Sequence, residues 1–153
     1  MKGKINMWGI KLGIITLVIL AMHGAVHAGG VGYIDYNKVL LNYQYAKISM
    51  TEVENKSIEI EKYLESKENE YDKTESAVQK KKIEDSVRNE MPAKEKAFQE
   101  FKAKKEEDVY NRIHAVSEKI RMEKGLDAII DIRSVFSGGV DITDDLIKKL
   151  NEK

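Results

Sequence analysis

A stretch of 92 residues without glycine constrains this chain more than any other feature. It runs from Tyr33 to Lys124 in a chain of 153 residues, and it contains the single proline, Pro92. Of the 55 residues from 54 to 108, 29 are charged. Glu, Lys, Ala and Gln, which dominate here, are good helix formers. The stretch therefore predicts long helices.

Apolar side chains recur at helical spacing through this stretch, which indicates helix and not disorder. The first series steps by three and four residues, the spacing of a coiled-coil seam: Met50, Val53, Ser57, Ile60, Leu64, Lys67, Tyr71, Thr74 and Val78. The second series is Val87, Met91, Lys94, Phe98, Phe101 and Lys105, continued after a phase shift by Val109, Ile113, Val116 and Ile120. Polar members make both series weak seams.

The two series predict a helical hairpin, whose tip has two candidate positions. The apolar phase breaks around residues 79–82, whereas Pro92 removes a backbone donor and breaks or kinks a helix. A tip at residues 79–82 gives two arms of equal length, roughly 65 Å each at about 1.5 Å per residue. A tip at Pro92 gives very unequal arms. We favour residues 79–82, with Pro92 as a kink in the returning arm.

Short elements flank the hairpin on both sides. Val31, Tyr33 and Tyr36 suit a short strand, after which Asp35 or Asn37 is expected to cap a helix that begins near Lys38.

Beyond the hairpin, Gly125 stands at a helix C-cap. Residues 126–132 and 135–136 are expected to form two strands. A turn at Gly138-Gly139 then leads to a last helix, for which Thr143 is the expected N-cap.

The N-terminus has the layout of a secretory signal peptide. Lys2, Lys4 and Lys11 precede an unbroken apolar run over residues 12–22, and Val26 and Ala28 form a small-residue cleavage pattern. The run is too short for a membrane span, which needs about 20 apolar residues. We expect cleavage after Ala28, with a retained anchor as the alternative.

Composition excludes several classes of protein. The 26 basic and 26 acidic residues balance, and the charge of residues 29–153 is −3 once the three N-terminal lysines are removed. This balance argues against a strongly basic nucleic-acid binder. The chain has no cysteine, which excludes a disulfide scaffold, a thiolate metal site and a cysteine nucleophile. Phosphate-loop, dinucleotide and zinc-protease motifs are absent from the sequence, so we expect no catalytic residue, metal or cofactor.

The flanking elements are too small to fold alone. The hairpin brings residues 41 and 125 together, yet roughly 45 residues cannot bury a large core. A weak seam adds little burial. The sequence therefore predicts an oligomer whose strands complete a shared core.

Three stretches of the chain resemble the Skp/OmpH family of periplasmic chaperones for outer-membrane proteins. They are residues 31–40 (VGYIDYNKVL), 123–131 (EKGLDAIID) and 140–149 (VDITDDLIKK). The resemblance covers essentially all of residues 29–153, although the charged middle is similar only in character.

The resemblance implies an α+β, mostly α fold: a long antiparallel helical hairpin, or tentacle, projects from a small β body completed by trimerisation. Residues 1–28 are then a signal peptide and residues 29–153 a single domain. Its body comprises residues 29–45 and 125–153, and its helical arms residues 46–124. The family implies a homotrimer that holds unfolded outer-membrane proteins between its arms without ATP. Its best-known members are strongly basic, whereas this mature chain is slightly acidic, so we expect weak or no direct membrane binding.

The expected site residues form three groups. The first group is the core of the trimer body, with Val31, Tyr33, Ile34, Ile130, Ile132, Val135 and Phe136. The second group comprises candidate client contacts on the arms: Tyr63, Met91, Phe98, Phe101 and Tyr110. For Phe98, a place in the seam is the favoured interpretation. The third group is a lysine triplet, Lys80, Lys81 and Lys82, that could touch an anionic head group but is otherwise a solvated tip.

Two functions remain in competition at this stage. The first is an ATP-independent holdase in the periplasm that keeps unfolded outer-membrane proteins from aggregating. The second is a coiled-coil adaptor of the cell envelope with one fixed partner. An enzyme is not expected. A holdase protects several unrelated outer-membrane proteins, whereas an adaptor does not.

Overall fold

The first strand of a small sheet is followed by a long helical hairpin, after which the chain adds two further strands to the same sheet. The computed structural model describes residues 29–152, so the expected signal peptide and its cleavage site lie outside the described residues. The elements in order are β1 (Gly30–Ile34), α1 (Tyr36–Asn42), α2 (Gln44–Asp72), α3 (Ala77–Glu123), β2 (Leu126–Asp131), a 3-10 turn (Ile132–Ser134), β3 (Val140–Asp141) and α4 (Thr143–Asn151).

The sheet is parallel, with strand order β2-β1-β3. Val31 pairs with Ala128 and Tyr33 with Ile130 on one side of β1, while Tyr33 pairs with Asp141 on the other. Parallel neighbours need a long crossover connection, and here the entire hairpin supplies it. The predicted α+β fold with a small sheet and a long helical hairpin is confirmed.

The turn of the hairpin lies at residues 73–76, so the predicted tip at 79–82 is wrong, as is the rival tip at Pro92. Ser76 starts α3, because its hydroxyl accepts the amide hydrogen of Gln79 at 3.4 Å. Pro92 lies inside α3, as expected. The equal-length argument fails because the two helices differ in length, about 44 Å for α2 and about 70 Å for α3. The last turns of α3 continue into the body, where Ser117 and Ile120 are buried.

The face of α2 that meets α3 follows the predicted seam at Val53, Ile60 and Tyr71, which are half-buried, but differs from it by one residue at two levels. Met50 and Leu64 are exposed, whereas Ser49 is buried and Tyr63 is half-buried. Val78, the last member of the predicted series, is exposed and lies in α3. A spacing of three and four residues does not determine which of two neighbours faces inward. The small side chains of Ala46 and Ser49 are both buried here, whereas the larger Met50 is exposed. The second series is confirmed, since its members are half-buried from Val87 to Lys105 and Val109, Ile113 and Ile120 are buried.

The core lies where the root of the hairpin meets the sheet and α4. It is one cluster of buried side chains: Ile34, Val39, Tyr43, Ala46, Val109, Ile113, Ile120, Leu126, Ile142, Leu146 and Leu150. Asp35 caps α1 through its side chain, which accepts the amide hydrogen of Lys38 at 2.9 Å, as predicted. Gly125 follows α3 with φ of 61°. This left-handed conformation commonly ends a helix and is the one expected of a glycine at this position.

The segment after β2 differs from the prediction. Residues 135–136 form no strand, because Asp131 accepts the amide hydrogen of Arg133 at 2.9 Å and turns the chain out of the sheet. The return uses Gly139, whose φ is 91°. A β-carbon there would stand 3.1 Å from the carbonyl oxygen of Val31. The third strand is therefore Val140–Asp141.

Thr143 is the first residue of α4 and not its N-cap. The N-cap is Ile142, which makes no side-chain capping hydrogen bond. Asp141 precedes it, and its Oδ1 accepts both the amide hydrogen of Thr143 at 2.9 Å and the hydroxyl hydrogen of Thr143 at 2.6 Å. The same hydroxyl oxygen accepts the amide hydrogen of Asp35 at 3.0 Å. Thr143 thereby ties the start of α4 to the start of α1.

Candidate functional site

Cations on α3 contact aromatic rings and a carboxylate on α2. Arg112 lies over the ring of Tyr45 at 4.2 Å, Lys94 over Tyr63 at 4.3 Å and Lys80 over Tyr71 at 4.5 Å; Lys105 pairs with Glu52. Each exposed cation–π contact is worth about 0.5–1 kcal/mol. The polar members of the predicted seam are thus partners of aromatic rings and carboxylates. The arms are joined by many weak contacts and not by a continuous core.

The pKa of Lys105 is raised, chiefly because the Glu52 carboxylate accepts a hydrogen bond from its ammonium group. In the same region, the pKa of Lys67 is raised by its hydrogen bond to Glu70, which lies three residues on along α2. Both lysines are therefore charged over the whole physiological pH range. The contacts that join the arms depend on salt and not on physiological pH.

The structure separates the five candidate client contacts into two groups. Tyr63, Met91, Phe98 and Phe101 are half-buried along the hairpin, whereas Tyr110 is exposed at its root. Tyr63 is covered by Lys94, and Phe101 lies 5.5 Å from Lys105. The first group is partly covered by the packing of the two helices. Tyr110 is accessible without any opening.

Tyr110 lies on an apolar groove at the root of the hairpin, which we call the arm-root groove. Its volume is about 820 Å³. The groove lies where α1, the first turns of α2 and the middle of α3 meet, and it is lined by Tyr36, Leu40, Ala46, Ser49, Met50, Val53, Glu54, Lys102, Lys105, Glu106, Glu107, Val109 and Tyr110. Apolar and aromatic side chains form most of this lining, and charged groups stand at its rim.

The rim of the arm-root groove is acidic. Lys102 pairs with Glu106 at 3.9 Å, and Lys105 is engaged by Glu52. Burial raises the pKa of the Tyr36 hydroxyl, and the nearby Tyr110 and Glu106 add to that effect. Glu54 and Glu107 form no ion pair with any residue from 29 to 152. The groove therefore presents uncompensated negative charge beside an apolar surface.

Sequence analysis identified only Tyr110 of the groove as a candidate contact. The other lining residues come from three separate helices, and α1 and α2 meet at a break that no pattern indicated. Asn151 holds that break, because its amide oxygen accepts the amide hydrogen of Gln44 at 2.8 Å and its amide nitrogen donates to the carbonyl oxygen of Asn42 at 2.9 Å. These contacts join residues more than 100 positions apart, beyond the reach of any periodicity.

The lysine triplet lies within the first two turns of α3, just after the turn of the hairpin. Lys80 is engaged with the Tyr71 ring, and Lys81 lies 3.3 Å from Asp85 and 3.9 Å from Glu84. Lys82 is exposed. The three ammonium groups are thus not presented as one free cationic cluster.

The residues expected in the trimer body fall into two groups. Ile34 is buried in the core of the chain itself, and Tyr33, Ile130 and Val135 are half-buried. Val31, Ile132 and Phe136 are exposed, as is the neighbouring Val140, and Phe136 is in no contact that hides its ring from solvent. The outer edge of β2 pairs with no other strand of residues 29–152. The sheet region therefore leaves both a hydrogen-bonding edge and apolar side chains uncovered.

Among residues 29–152, no helix is long and apolar enough to span a membrane. Within the same range, histidine, aspartate and glutamate side chains form no group of three or more with the geometry of a metal site. His114, in α3, lies near Tyr110 with its ring centroid 6.0 Å away.

Comparisons with known proteins agree with this architecture. The chain is similar in fold to an OmpH-like protein from Caulobacter crescentus CB15 that is described as a candidate outer membrane chaperone, with a TM-score of 0.58 and 12% sequence identity. That likeness covers 80% of this chain and 84% of the other. A comparison with curated proteins finds no match. The family model described as "Outer membrane protein (OmpH-like)" matches residues 30–150. The chain therefore belongs to the OmpH-like family.

Proposed function

We propose that this protein is an ATP-independent periplasmic holdase that binds unfolded outer-membrane proteins and keeps them from aggregating in transit. The observation that carries the proposal is a hairpin with helices of about 44 Å and about 70 Å, which contact each other through cation–aromatic and ion pairs and form an apolar groove at the root. A surface of this kind can hold many different unfolded segments weakly. Membership of the OmpH-like family and the fold of the Caulobacter protein support the same role.

The proposal includes an exported, trimeric form of the chain. Residues 1–28 act as a signal peptide that is cleaved after Ala28, and residues 29–153 act as one domain. Its body is residues 29–45 and 125–153, and its arms are residues 46–124. The uncovered edge of β2 and the exposed Val31, Ile132 and Phe136 support a body completed by two further copies, because bare edges and apolar patches are normally covered. No step of this function calls for a cofactor or a catalytic residue.

Substituting Ile130→Asp tests the trimer. A charge placed in a shared apolar body without a partner costs several kcal/mol. We expect the wild-type protein to have the mass of three chains by light scattering and the variant to have the mass of one. A wild-type monomer, or a variant that remains trimeric, contradicts the proposed body.

The holdase role is tested by shortening both arms equally. The Glu52–Lys105 contact lies on the body side of residues 57–70 and 87–100, and the Tyr71–Lys80 contact lies on their turn side. Deleting residues 57–70 and 87–100 removes two heptads from each helix and keeps the turn, the arm-root groove and the body. The variant should keep the mass of the parent yet lose protection of an unfolded barrel protein diluted from urea.

Turbidity with three unrelated unfolded barrel proteins provides the measurement. Protection of all three by the parent supports a holdase, and protection of only one supports the adaptor alternative. If the shortened variant protects as well as the parent, the clients are not held by the arms.

A further inference from the structure

The arm-root groove combines an apolar surface, an unpaired hydroxyl and an acidic rim. We propose that it binds an extended apolar polypeptide segment with lysine or arginine at its flank. This inference rests on the proposed chaperone function, because the segment would belong to an unfolded client. It gives that function a defined site at the root of the hairpin, distinct from the seam along the arms.

The apolar part of the groove is accessible without any rearrangement. Met50 is 58% exposed and Tyr110 is also exposed, so both already present apolar surface to solvent. Leu40 and Val53 line the groove beside them. Its volume of about 820 Å³ lies within the range of pockets that enclose a ligand.

Ser49 supplies an unpaired polar group beneath the apolar surface of the groove. The residue lines the groove but is only 3% exposed, and its hydroxyl has no hydrogen-bond partner among residues 29–152. Because the hydroxyl oxygen itself has almost no accessible surface, a ligand reaches it only after the side chains that cover it shift. A buried hydroxyl without a partner is unfavourable. A polypeptide backbone offers a donor or an acceptor at every residue, whereas a lipid chain offers neither. An extended peptide therefore suits the groove better than an acyl chain.

The charge of the rim favours ligands of the opposite charge. Lys102 and Lys105 are paired with Glu106 and Glu52, which leaves the carboxylates of Glu54 and Glu107 without a cation in the described chain. A basic flank on the bound segment would complement these two charges. An acidic flank would be repelled, and both effects should weaken as salt screens the rim.

Two fluorescent peptides test the charge preference. Both have the same nine-residue centre of alternating valine and threonine, and they carry two lysines or two glutamates at each end. We expect the mature wild-type protein to bind the lysine-flanked peptide about tenfold more tightly in 20 mM salt, with the difference shrinking in 300 mM salt. Equal affinities at low salt overturn the proposal.

A charge reversal at the rim has a matched control. Glu54→Lys combined with Glu107→Lys should invert the preference between the two peptides. Glu68→Lys combined with Glu95→Lys changes the net charge equally, on exposed arm positions that do not line the groove, and should leave the preference unchanged. If both double variants invert the preference, overall charge and not the groove selects the peptide, and the proposal is wrong.

Ser49→Ala tests the hydroxyl, and Ser117→Ala is its control. Ser117 is also buried without a hydrogen-bond partner, but it lies outside the groove. Both substitutions remove an unpaired buried hydroxyl and should leave folding intact. Only Ser49→Ala should weaken peptide binding, by about three- to tenfold. Equal effects of the two substitutions on peptide binding contradict the role of Ser49.

Two further measurements separate this inference from the proposed function. If the wild-type protein prevents aggregation but shows no peptide preference, only the groove proposal fails. If it prevents no aggregation, the holdase role fails whatever the peptides do. A change in protein mass when peptide saturates the groove would identify the groove as an interface between copies of the chain, and this outcome also overturns the inference.

Discussion

The body and the arms of this chain are stabilised in different ways. Where the body meets the root of the hairpin, Val39, Ile120 and Leu146 have no exposed surface. From residue 54 to residue 108, Ile83 is the single large apolar side chain that is buried. The arms combine half-buried apolar side chains with lysine–tyrosine contacts and ion pairs. The chain thus forms a packed body and less well packed arms, and disrupting the body costs more free energy than disrupting the arms.

Magnitudes show which region is the stable one. Full burial of a leucine or isoleucine contributes about 1.5–3 kcal/mol, whereas an exposed ion pair contributes about 0–1 kcal/mol. The body and the root of the hairpin together contain eleven buried side chains in one cluster. The arms therefore belong to the low-stability end of the structure, where local opening precedes global unfolding. Local opening is what would expose Tyr63, Met91 and Phe98 to a client.

Hydrogen exchange should show the largest difference between the two regions. Amides around Val39, Ile120 and residues 128–131 should exchange only through global unfolding, whereas amides of residues 55–108 should exchange roughly a thousandfold faster. Mass spectrometry of proteolytic fragments provides the measurement. Uniform protection along α3 would mean that the arms are as stable as the body, and opening of the seam would then play no part.

Two leucines give the same comparison as an equilibrium measurement. Leu146 is fully buried and Leu64 is 39% exposed on the arm. Leu146→Ala should reduce the free energy of unfolding by about 2–5 kcal/mol. Leu64→Ala should change it by less than about 1 kcal/mol. Urea titration monitored by circular dichroism measures both, and equal losses would contradict the division into a packed body and open arms.

Asn151 tests how the body holds the root of the arms. Asn151→Ala removes the two hydrogen bonds that join α4 to the break between α1 and α2, and it should cost about 1 kcal/mol of stability. Asn111→Ala, on the exposed surface of α3, is the control and should cost nothing. If the two substitutions behave alike, the break is held by packing alone.

Acid should weaken the body through Asp141, as the smallest of these effects. Its pKa is lowered, first by the hydrogen bond from the Thr143 hydroxyl and then by that from the Thr143 amide. The unfolded chain has an aspartate pKa of about 3.9, and the pKa of Asp141 in the folded chain is lower. The ionised carboxylate therefore stabilises the fold fully above the unfolded pKa, and this stabilisation is lost as the pH falls through the folded pKa.

Melting temperatures between pH 6 and pH 3 measure this effect. Asp141→Asn should melt lower than the wild type at pH 6, and the difference should shrink towards pH 3. A constant offset for Asp141→Asn would mean that its carboxylate contributes no pH-dependent stability.

Particular residues show how far the sequence predicted this structure. The glycine-free stretch predicted the hairpin, Asp35 predicted the start of α1, and Gly125 predicted the end of α3, because each depends on neighbours within one or two turns. The turn was misplaced because Ser76 caps α3 and because the last turns of α3 extend into the body. The spacing of the apolar residues indicated neither feature. The strand expected at residues 135–136 failed because Asp131 turns the chain first.

What the sequence by itself determined is the local order of the chain: a strand, two long charged helices, further short elements, and family membership. Only the tertiary structure decided that Ser49 and not Met50 faces α3, that Lys94 and Lys105 find partners on the opposite helix, and that Asn151 closes the break at Tyr43. The physical reason is that helix propensity and capping act over a few residues. Side-chain partners and the arm-root groove depend on surfaces brought together from positions up to 109 residues apart.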